Sequence, residues 1–459
     1  MIESAPHPSP EQSADAFFGR SGFASRPFII LVIAFLFLVF PVIVWGLDNT
    51  AQSYDQNHHH LVVIRQATAS LTGATDSTPI WTLLRDYPSA TSPGYHLFLA
   101  GFDAIGLGNV VTLRLISSLF GLGLLITVWS ILRRRIDDWT ALCFVAPLLC
   151  SPYFLSGSIW LTTDVPAIGF VTLALGSLLF VEPSSAQRMR SGIFSALAIL
   201  VRQPTVWLIA PIFLSGLIGR QRRMWDRSRN EWLCFLCSIA LPLIVLGWLI
   251  ALWGGIMPPA YRTLHNAGAN LAMPAFALSL LALWGLPWTI ASGALSIFRS
   301  ASEMRWMILG AVLGILCATL TPTTFDQSAG RWAGPLWGVV ALAPSIGQRS
   351  VIFLILAPIG GIFLAAILRS AVRNAQTYGA AVLGVSCAAM LGALTVNTQC
   401  WERYVDLPML ALLPLMVVLG LRPTDHTQQR RVRISCAVLT VAQLGLSLWM
   451  VYYRSTFMA

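Results

Sequence analysis

Five short polar stretches break an otherwise apolar chain, and they hold the side chains best suited to proton and phosphate chemistry: Ser53-Tyr54-Asp55-Gln56, residues 87–96, Thr162-Thr163-Asp164, Arg202-Gln203 and Glu402-Arg403-Tyr404. A carboxylate can take a proton from an attacking hydroxyl, and guanidinium groups can hold a phosphate as it departs. Asp55 follows the first apolar run by a few residues, where partial desolvation makes a carboxylate a competent base; a hydrated loop acid is the alternative. Asp164 precedes Pro166 at the start of another apolar run, so a helix-capping role competes with a functional one. Arg202 lies between Ile199-Leu200-Val201 and Val206-Trp207-Leu208-Ile209, where burying a guanidinium costs about 2.5–3.5 kcal/mol. It needs either an acid partner at the same face or a phosphate, whose geometry its planar fork matches. Arg403, between Glu402 and Tyr404, has the same two options.

His58-His59-His60 invites a metal reading. Consecutive histidines on a helix point in different directions and make a poor chelate, so no metal site is assigned, although a divalent ion is compatible with the acids. One of the three, His59, is expected to face the site with Asp55. Tyr54, Gln56, His96, Gln203, Glu402 and Tyr404 complete the candidates, with Asp55 as base, Asp164 as acceptor support, and Arg202 and Arg403 as phosphate ligands. No organic cofactor is expected.

What must position these residues is a membrane bundle. The 459 residues are 56% hydrophobic and only 10% charged, with a mean hydropathy of +0.71, which no water-exposed fold of this size reconciles with its surface. A bilayer core of roughly 30 Å takes about 20 apolar residues per helix. Such runs recur from Phe28 onward, so the fold class is all-α, a polytopic transmembrane helical bundle of roughly 11–14 spans. All 29 basic residues are arginine, and they cluster in short loops: 133–135, 188–190, 220–229 and 430–433. That is the positive-inside pattern, and it makes the net charge of +10 an orienting device instead of a nucleic-acid surface. Cys234 and Cys237 form a lone CxxC inside a span and read as small core residues.

The charge clusters fix an alternation. Residues 1–27 read as a cytoplasmic tail, with Arg20 and Arg26 beside the first span at 28–47, and residues 28–459 as one transmembrane domain. Residues 48–111 form a first extracytoplasmic loop with two amphipathic segments, 57–71 and 94–105, expected to lie on the membrane surface. Spans at 112–132, 139–157 and 165–181, two crossings between Arg188 and the 220–229 loop, and spans at 232–253, 272–298 and 306–320 follow. Asp55, Asp164 and Arg202 then share the outer face. Three apolar runs, 332–346, 351–368 and 380–396, separate Asp326–Arg331 from Glu402–Asp406, whereas placing both outside requires an even number of crossings. Either one run is re-entrant or the 326–331 loop faces the cytoplasm. Spans at 407–421 and 435–453 end the chain.

By motif and order, nearly the whole chain resembles the GT-C superfamily of membrane glycosyltransferases, and within it the dolichyl-phosphate-glucose-dependent α-1,2-glucosyltransferases. Tyr54-Asp55 with His59 is similar to that family's acidic motif after the first span. Thr91-Ser92-Pro93-Gly94-Tyr95-His96 is similar to its threonine-proline-proline-glycine stretch, and Leu113-Arg114-Leu115 falls where it has a leucine-arginine pair. Thr163-Asp164, Arg202-Gln203 followed by Trp207, and Glu402-Arg403-Tyr404 with Leu407-Pro408 resemble its later motifs in order. The 326–331 segment is loosely similar to its aspartate-asparagine-arginine loop.

The resemblance implies transfer of a hexose, glucose favoured, from a polyprenyl-phosphate carrier to a glycan or lipid-linked acceptor at the outer membrane face, with inversion and Asp55 as general base. The partners are thus a lipid-linked sugar donor, that acceptor and membrane lipid, with no nucleic acid. The lysine-free composition points to a GC-rich bacterial genome, an undecaprenyl carrier and an inner-membrane location. Two rivals share parts of the pattern. A cell-envelope glycan ligase or polymerase would carry its large loop late in the chain, whereas here the long loop is first. A transporter would show charges near mid-bilayer and a repeat between halves, neither of which is visible.

Overall fold

In hydrocarbon a peptide N–H has no water to bond, so a chain this apolar satisfies its backbone within helices. The computed structural model describes residues 25–46, 50–75, 77–180, 182–218, 228–262, 268–374, 376–421 and 426–453. The expected tail 1–27 is outside the described residues except for its last three, as are Asp48, Asp76 and Arg220, Arg222, Arg223 and Arg227.

Helix α1 (Arg26–Trp45) comes first. The 50–107 segment follows: α2 (Ala51–Asp55) passes through a wide turn into α3 (Leu61–Thr72), then come α4 (Ile80–Arg85) and α5 (Gly94–Phe102). Next are helix α6 (Val110–Leu132) and α7 (Asp138–Leu149), which joins α8 (Pro152–Ile159) through a 76° bend. Pro152, lacking an N–H, ends the α7 ladder and opens α8. Helices α9 (Asp164–Gly176), α10 (Ser185–Val201) and α11 (Ile209–Leu217) are short apolar or amphipathic rods, and α12 (Arg229–Trp253) spans fully. The second half comprises α13 (Met273–Ala291), α14 (Ala301–Thr319), α15 (Pro335–Leu342), α16 (Val351–Arg373), α17 (Thr377–Thr395), α18 (Arg403–Gly420) and α19 (His426–Ser447).

Among the described residues nine helices are long and apolar enough to cross a bilayer, and the bent α7–α8 pair makes a tenth. Two shorter apolar helices bring the number of apolar segments into the range expected from the sequence. The chain is an integral, multi-pass helical membrane protein. Cys234 and Cys237 are half-buried, unbridged residues of α12.

Interactions at the helix ends show which loops lie together. At one end Arg433 of α19 meets Asp137 at the start of α7, Arg134 Nη1 donates to the Gly176 carbonyl (3.2 Å), and Arg369 of α16 meets Glu303 of α14. At the other end three loops are stitched together: Asn270 N to Thr395 O (2.8 Å), Cys400 N to Gly330 O (2.9 Å) and Glu402 N to Ala333 O (2.9 Å). The 326–331 loop therefore lies at the same end of the bundle as Glu402. This corrects the reading of 332–346 as a candidate span. Only α15 is helical there, and its eight residues reach about 12 Å at 1.5 Å each, far short of the hydrocarbon thickness. A two-residue hairpin pairs Ser345 with Ser350 behind it. Two crossings, α16 and α17, remain, and the parity is even.

Close approach in the second half rests on small residues. Gly310 and Gly314, one turn apart on α14, face Gly361 and Ala357 on α16; a Cβ at Gly310 would stand 2.4 Å from the Gly361 carbonyl oxygen. This is the small-residue contact by which membrane helices gain dispersion energy where no hydrophobic effect drives them together. Helix α18 has the most enclosed spanning window, 89% buried against 22% for α1. It is apolar all round because protein surrounds it.

Candidate active site

Asp55 ends α2, whose entry is fixed by a reciprocal cap in which Ser53 N donates to Thr50 Oγ1 (2.9 Å) and Thr50 N donates to Ser53 Oγ (3.0 Å). The turn that follows is wider than an α-turn, with Leu61 N–H reaching back to the Gln56 carbonyl. Such an i→i+5 turn inserts one residue into the helical face. His60, five residues after Asp55, thereby lies on the face of Asp55, with Nε2 3.9 Å from Asp55 Oδ2. His59 is exposed instead, and Tyr54 is also exposed, its ring stacked on His58 at 3.9 Å. The expectation that His59 faces Asp55 is corrected to His60, because an α-helical period does not hold across this turn.

Gln56 is fully buried. Its Oε1 accepts from Arg114 Nε (2.8 Å) and from Leu161 N (3.2 Å), tying the Asp55 segment to α6 and to the strand of chain before Asp164. It fastens the site's wall and does not open onto it.

Across from Asp55 stands Arg403, whose Nη1 lies 3.7 Å from Asp55 Oδ2. Its Nε is buried and makes no hydrogen bond to the protein. The Arg403 guanidinium lies over the rings of Trp401 (4.8 Å) and Tyr404 (5.3 Å), while that of Arg202 lies 4.9 Å from the Tyr404 ring centre. Two guanidinium groups thus share one aromatic platform, which holds planar cations without consuming their N–H donors. Arg202 forms an ion pair with Asp164, so the acid-partner option is realised, and Asp164 acts on the site through Arg202. Asp55, Arg202, Asp164, Arg403 and Tyr404 are brought together in one cluster.

Beside them a narrow cavity is lined by the charged and polar Asp164, Arg202, Arg403 and Tyr404 and by the apolar Ile168, Trp207, Met390, Leu394 and Leu407. That mixed lining suits an amphiphile with an anionic head. Metal ligation has little to work with here: the two carboxylates, Asp55 and Asp164, each face a guanidinium group, and no three metal-binding side chains converge among the described residues.

The remaining candidates serve the walls. Gln203 Oε1 accepts from Ser92 Oγ (3.2 Å) and its Nε2 donates to the Ala90 carbonyl (2.9 Å), joining the 87–96 stretch to the end of α10. Glu402 is buried and accepts from Leu336 N (2.8 Å), so it caps α15. Burial, with the Asp406 carboxyl nearby, pushes Glu402 up to about 8, and it is therefore largely protonated at neutral pH. His96 is buried behind His60, their Nε2 and Nδ1 atoms 2.8 Å apart, and its Nδ1 meets Tyr87 Oη at 2.6 Å. His60, Tyr87 and Trp401 were not singled out by sequence reasoning. The run of three histidines was the available signal for His60, and it does not say which one turns inward.

Comparison with known proteins reaches part of this site. The profile of the family described as dolichyl-phosphate-mannose-protein mannosyltransferase matches residues 89–248. That stretch is about a third of the chain; it includes Asp164 and Arg202 but neither Asp55 nor Arg403. Two crystal structures of ArnT from Cupriavidus metallidurans are similar over most of the chain. The apo form is 15% identical over 90% of this chain and 77% of that one, with a TM-score of 0.36. The form bound to undecaprenyl phosphate is 14% identical over 91% and 77%, with a TM-score of 0.37. No curated protein matches the sequence.

Proposed function

We propose that this chain is a GT-C-type membrane glycosyltransferase that moves a sugar from a polyprenyl-phosphate carrier to a hydroxyl acceptor at the outer face. One observation carries the reading most of the way. Asp55, a half-exposed carboxylate, faces Arg403, a guanidinium with an unused buried N–H, and Arg403 lines a cavity that has both charged and apolar walls. The family match over residues 89–248 supports the same chemistry, since its description names a dolichyl-phosphate-linked sugar as donor.

In this reading the acceptor hydroxyl gives its proton to Asp55 as its oxygen attacks the anomeric carbon. The bond from that carbon to the carrier phosphate breaks, its electron pair leaves with the phosphate, and Arg403 with Arg202 stabilises the charge that develops there. Asp164 is already committed to Arg202, which leaves Asp55 as the accessible acid of the cluster; a single displacement follows, and the sugar inverts. The carrier's hydrocarbon chain occupies the apolar part of the cavity, reached from the side of the bilayer. The finer assignments are a hexose, with glucose favoured by the motif resemblance, a glycan or lipid-linked acceptor, residues 28–459 acting as one GT-C-like domain, and a bacterial inner membrane.

The test is transfer by purified protein from a panel of synthetic polyprenyl-phosphate sugars, including glucosyl, mannosyl and aminoarabinosyl donors. Asp55→Asn is expected to lower turnover by about 10²–10⁴-fold. Unchanged turnover in that variant would remove Asp55 from the base role, and the preferred donor decides the sugar.

A further inference from the structure

Behind Asp55 lies a line of buried polar side chains that the proposed reaction does not use directly. His60 Nε2 points at Asp55 Oδ2 (3.9 Å), His60 Nδ1 meets His96 Nε2 (2.8 Å), and His96 Nδ1 meets Tyr87 Oη (2.6 Å). The rings of His60 and His96 stack with centroids 5.1 Å apart and planes 19° from parallel. His96 and Tyr87 are almost fully enclosed, at 0% and 1% exposure, and Tyr87 packs against Trp253. Three residues from α3's entry, α5 and the loop before it thus form one chain that ends at the carboxylate.

We infer that His60, locked in a single tautomer by His96 and Tyr87, is a positioning residue that presents an N–H to Asp55 and aims its carboxylate at the acceptor. A neutral imidazole has one donor and one acceptor nitrogen, so a chain of two rings has only two registers. In one, Tyr87 O–H donates to His96 Nδ1, His96 Nε2–H donates to His60 Nδ1, and His60 Nε2–H faces Asp55. In the other every donor is reversed, and a nitrogen lone pair faces the carboxylate. An ionised Asp55 selects the first. Burial keeps both rings uncharged, lowering His60 to about 4, with Asp55 opposing that shift, and His96 well below its usual value. The arrangement gives Asp55 Oδ2 a second, uncharged neighbour beside Arg403, at 3.9 and 3.7 Å. Two neighbours on one oxygen restrict the carboxylate's rotation more than the guanidinium alone would. The wide turn after Asp55 is what makes this possible, since an ordinary α-turn would leave His60 off the face of Asp55.

This inference rests on the reading of Asp55 as base, and the experiment separates the two. In the full-length protein carrying ¹⁵N-histidine, the side-chain signals of His60 are expected to show protonated Nε2 and unprotonated Nδ1, with no substrate needed. Tyr87→Phe, which removes one oxygen at the far end of the chain, is expected to give a mixture of tautomers at His60. With a polyprenyl-phosphate sugar as donor it should also lower kcat by about 3–10-fold at unchanged donor KM, the loss of one buried hydrogen bond. His60→Asn, which still offers an N–H, should retain more turnover than His60→Ala. A native His60 protonated at Nδ1, or a Tyr87→Phe protein with unaltered tautomer and kcat, overturns the inference. An active Asp55→Asn variant instead overturns the base role, while the tautomer measurement still reports on the chain.

Discussion

Arginine meets carboxylate at both ends of the bundle, on different terms. At the end away from the site Glu303 accepts Arg369 Nε (2.6 Å) and Nη2 (2.8 Å) and also Arg373 Nη2 (3.4 Å), joining α14 to α16. Asp137 is equally saturated: Arg433 Nη2 lies 2.9 Å from both of its oxygens, and Thr140 adds its hydroxyl (2.6 Å) and its N–H (3.0 Å). Those bonds outweigh burial and hold the Asp137 carboxyl below its ordinary value. At the site end Asp55 keeps Arg403 and His60 at 3.7 and 3.9 Å, and Arg403 retains an unpartnered N–H. Bidentate, charge-assisted bonds hold a guanidinium in one geometry against its carboxylate and fasten helices. Loosely spaced ones leave donors and lone pairs for a ligand. Arg202 with Asp164 is intermediate, a fastened pair placed so that its cation still lines the cavity.

The sharpest way to break this comparison is to remove one arginine from each end. Arg403→Ala is expected to lower kcat/KM by about 10²–10³-fold with little change in thermal midpoint, as for loss of one transition-state donor. Arg369→Ala should do the reverse, lowering the midpoint while the turnover of the folded fraction persists. Equal losses of turnover in the two variants would erase the distinction between fastening and functional arginines.

Asp164→Asn tests the intermediate case. It leaves Arg202 without its counter-charge, and transfer is expected to fall by about 10-fold through a weaker hold on the donor, read as a rise in donor KM. A rise in KM for the acceptor alone would instead place Asp164 against the acceptor.

The smallest expected effect concerns stability and pH. Glu402, raised to about 8 chiefly by burial, keeps its proton in the native state where the unfolded chain, near 4.5, has released it. The native state binds more protons across that window, so stability falls as pH rises through it and levels off above about 8. The thermal midpoint of the native protein should therefore decline relative to Glu402→Gln between pH 5 and 8; parallel curves would show that Glu402 ionises freely.

Much of this architecture was legible in the chain, for physical reasons. Apolar runs of bilayer length and arginine clusters between them dictate helices and their alternation, and the same alternation carries Asp55, Arg202 and Arg403 to one face. Run 332–346 misled because hydropathy does not register Gly334, Pro335 and Pro344, which leave an eight-residue helix where a span could have been. Gln56, Gln203 and Glu402 looked like site residues because they adjoin site residues in sequence. Their partners, Arg114, Ser92 and Leu336, lie 58, 111 and 66 positions away, and local spacing does not encode such pairings. His60 was hidden by one extra residue in a helical turn, which shifts the register without changing composition.

The enclosure of α18 has a mechanical consequence. A thicker or thinner bilayer exerts its mismatch strain on lipid-facing helices such as α1, which tilt or shift to relieve it. Arg403 stands at the tip of a helix that touches protein nearly everywhere. Asp55, although it follows α1, is moored through Gln56 to Arg114 and Leu161. The span between acid and guanidinium is therefore gauged by the protein's own frame, insulated from the acyl-chain length of the membrane that surrounds it.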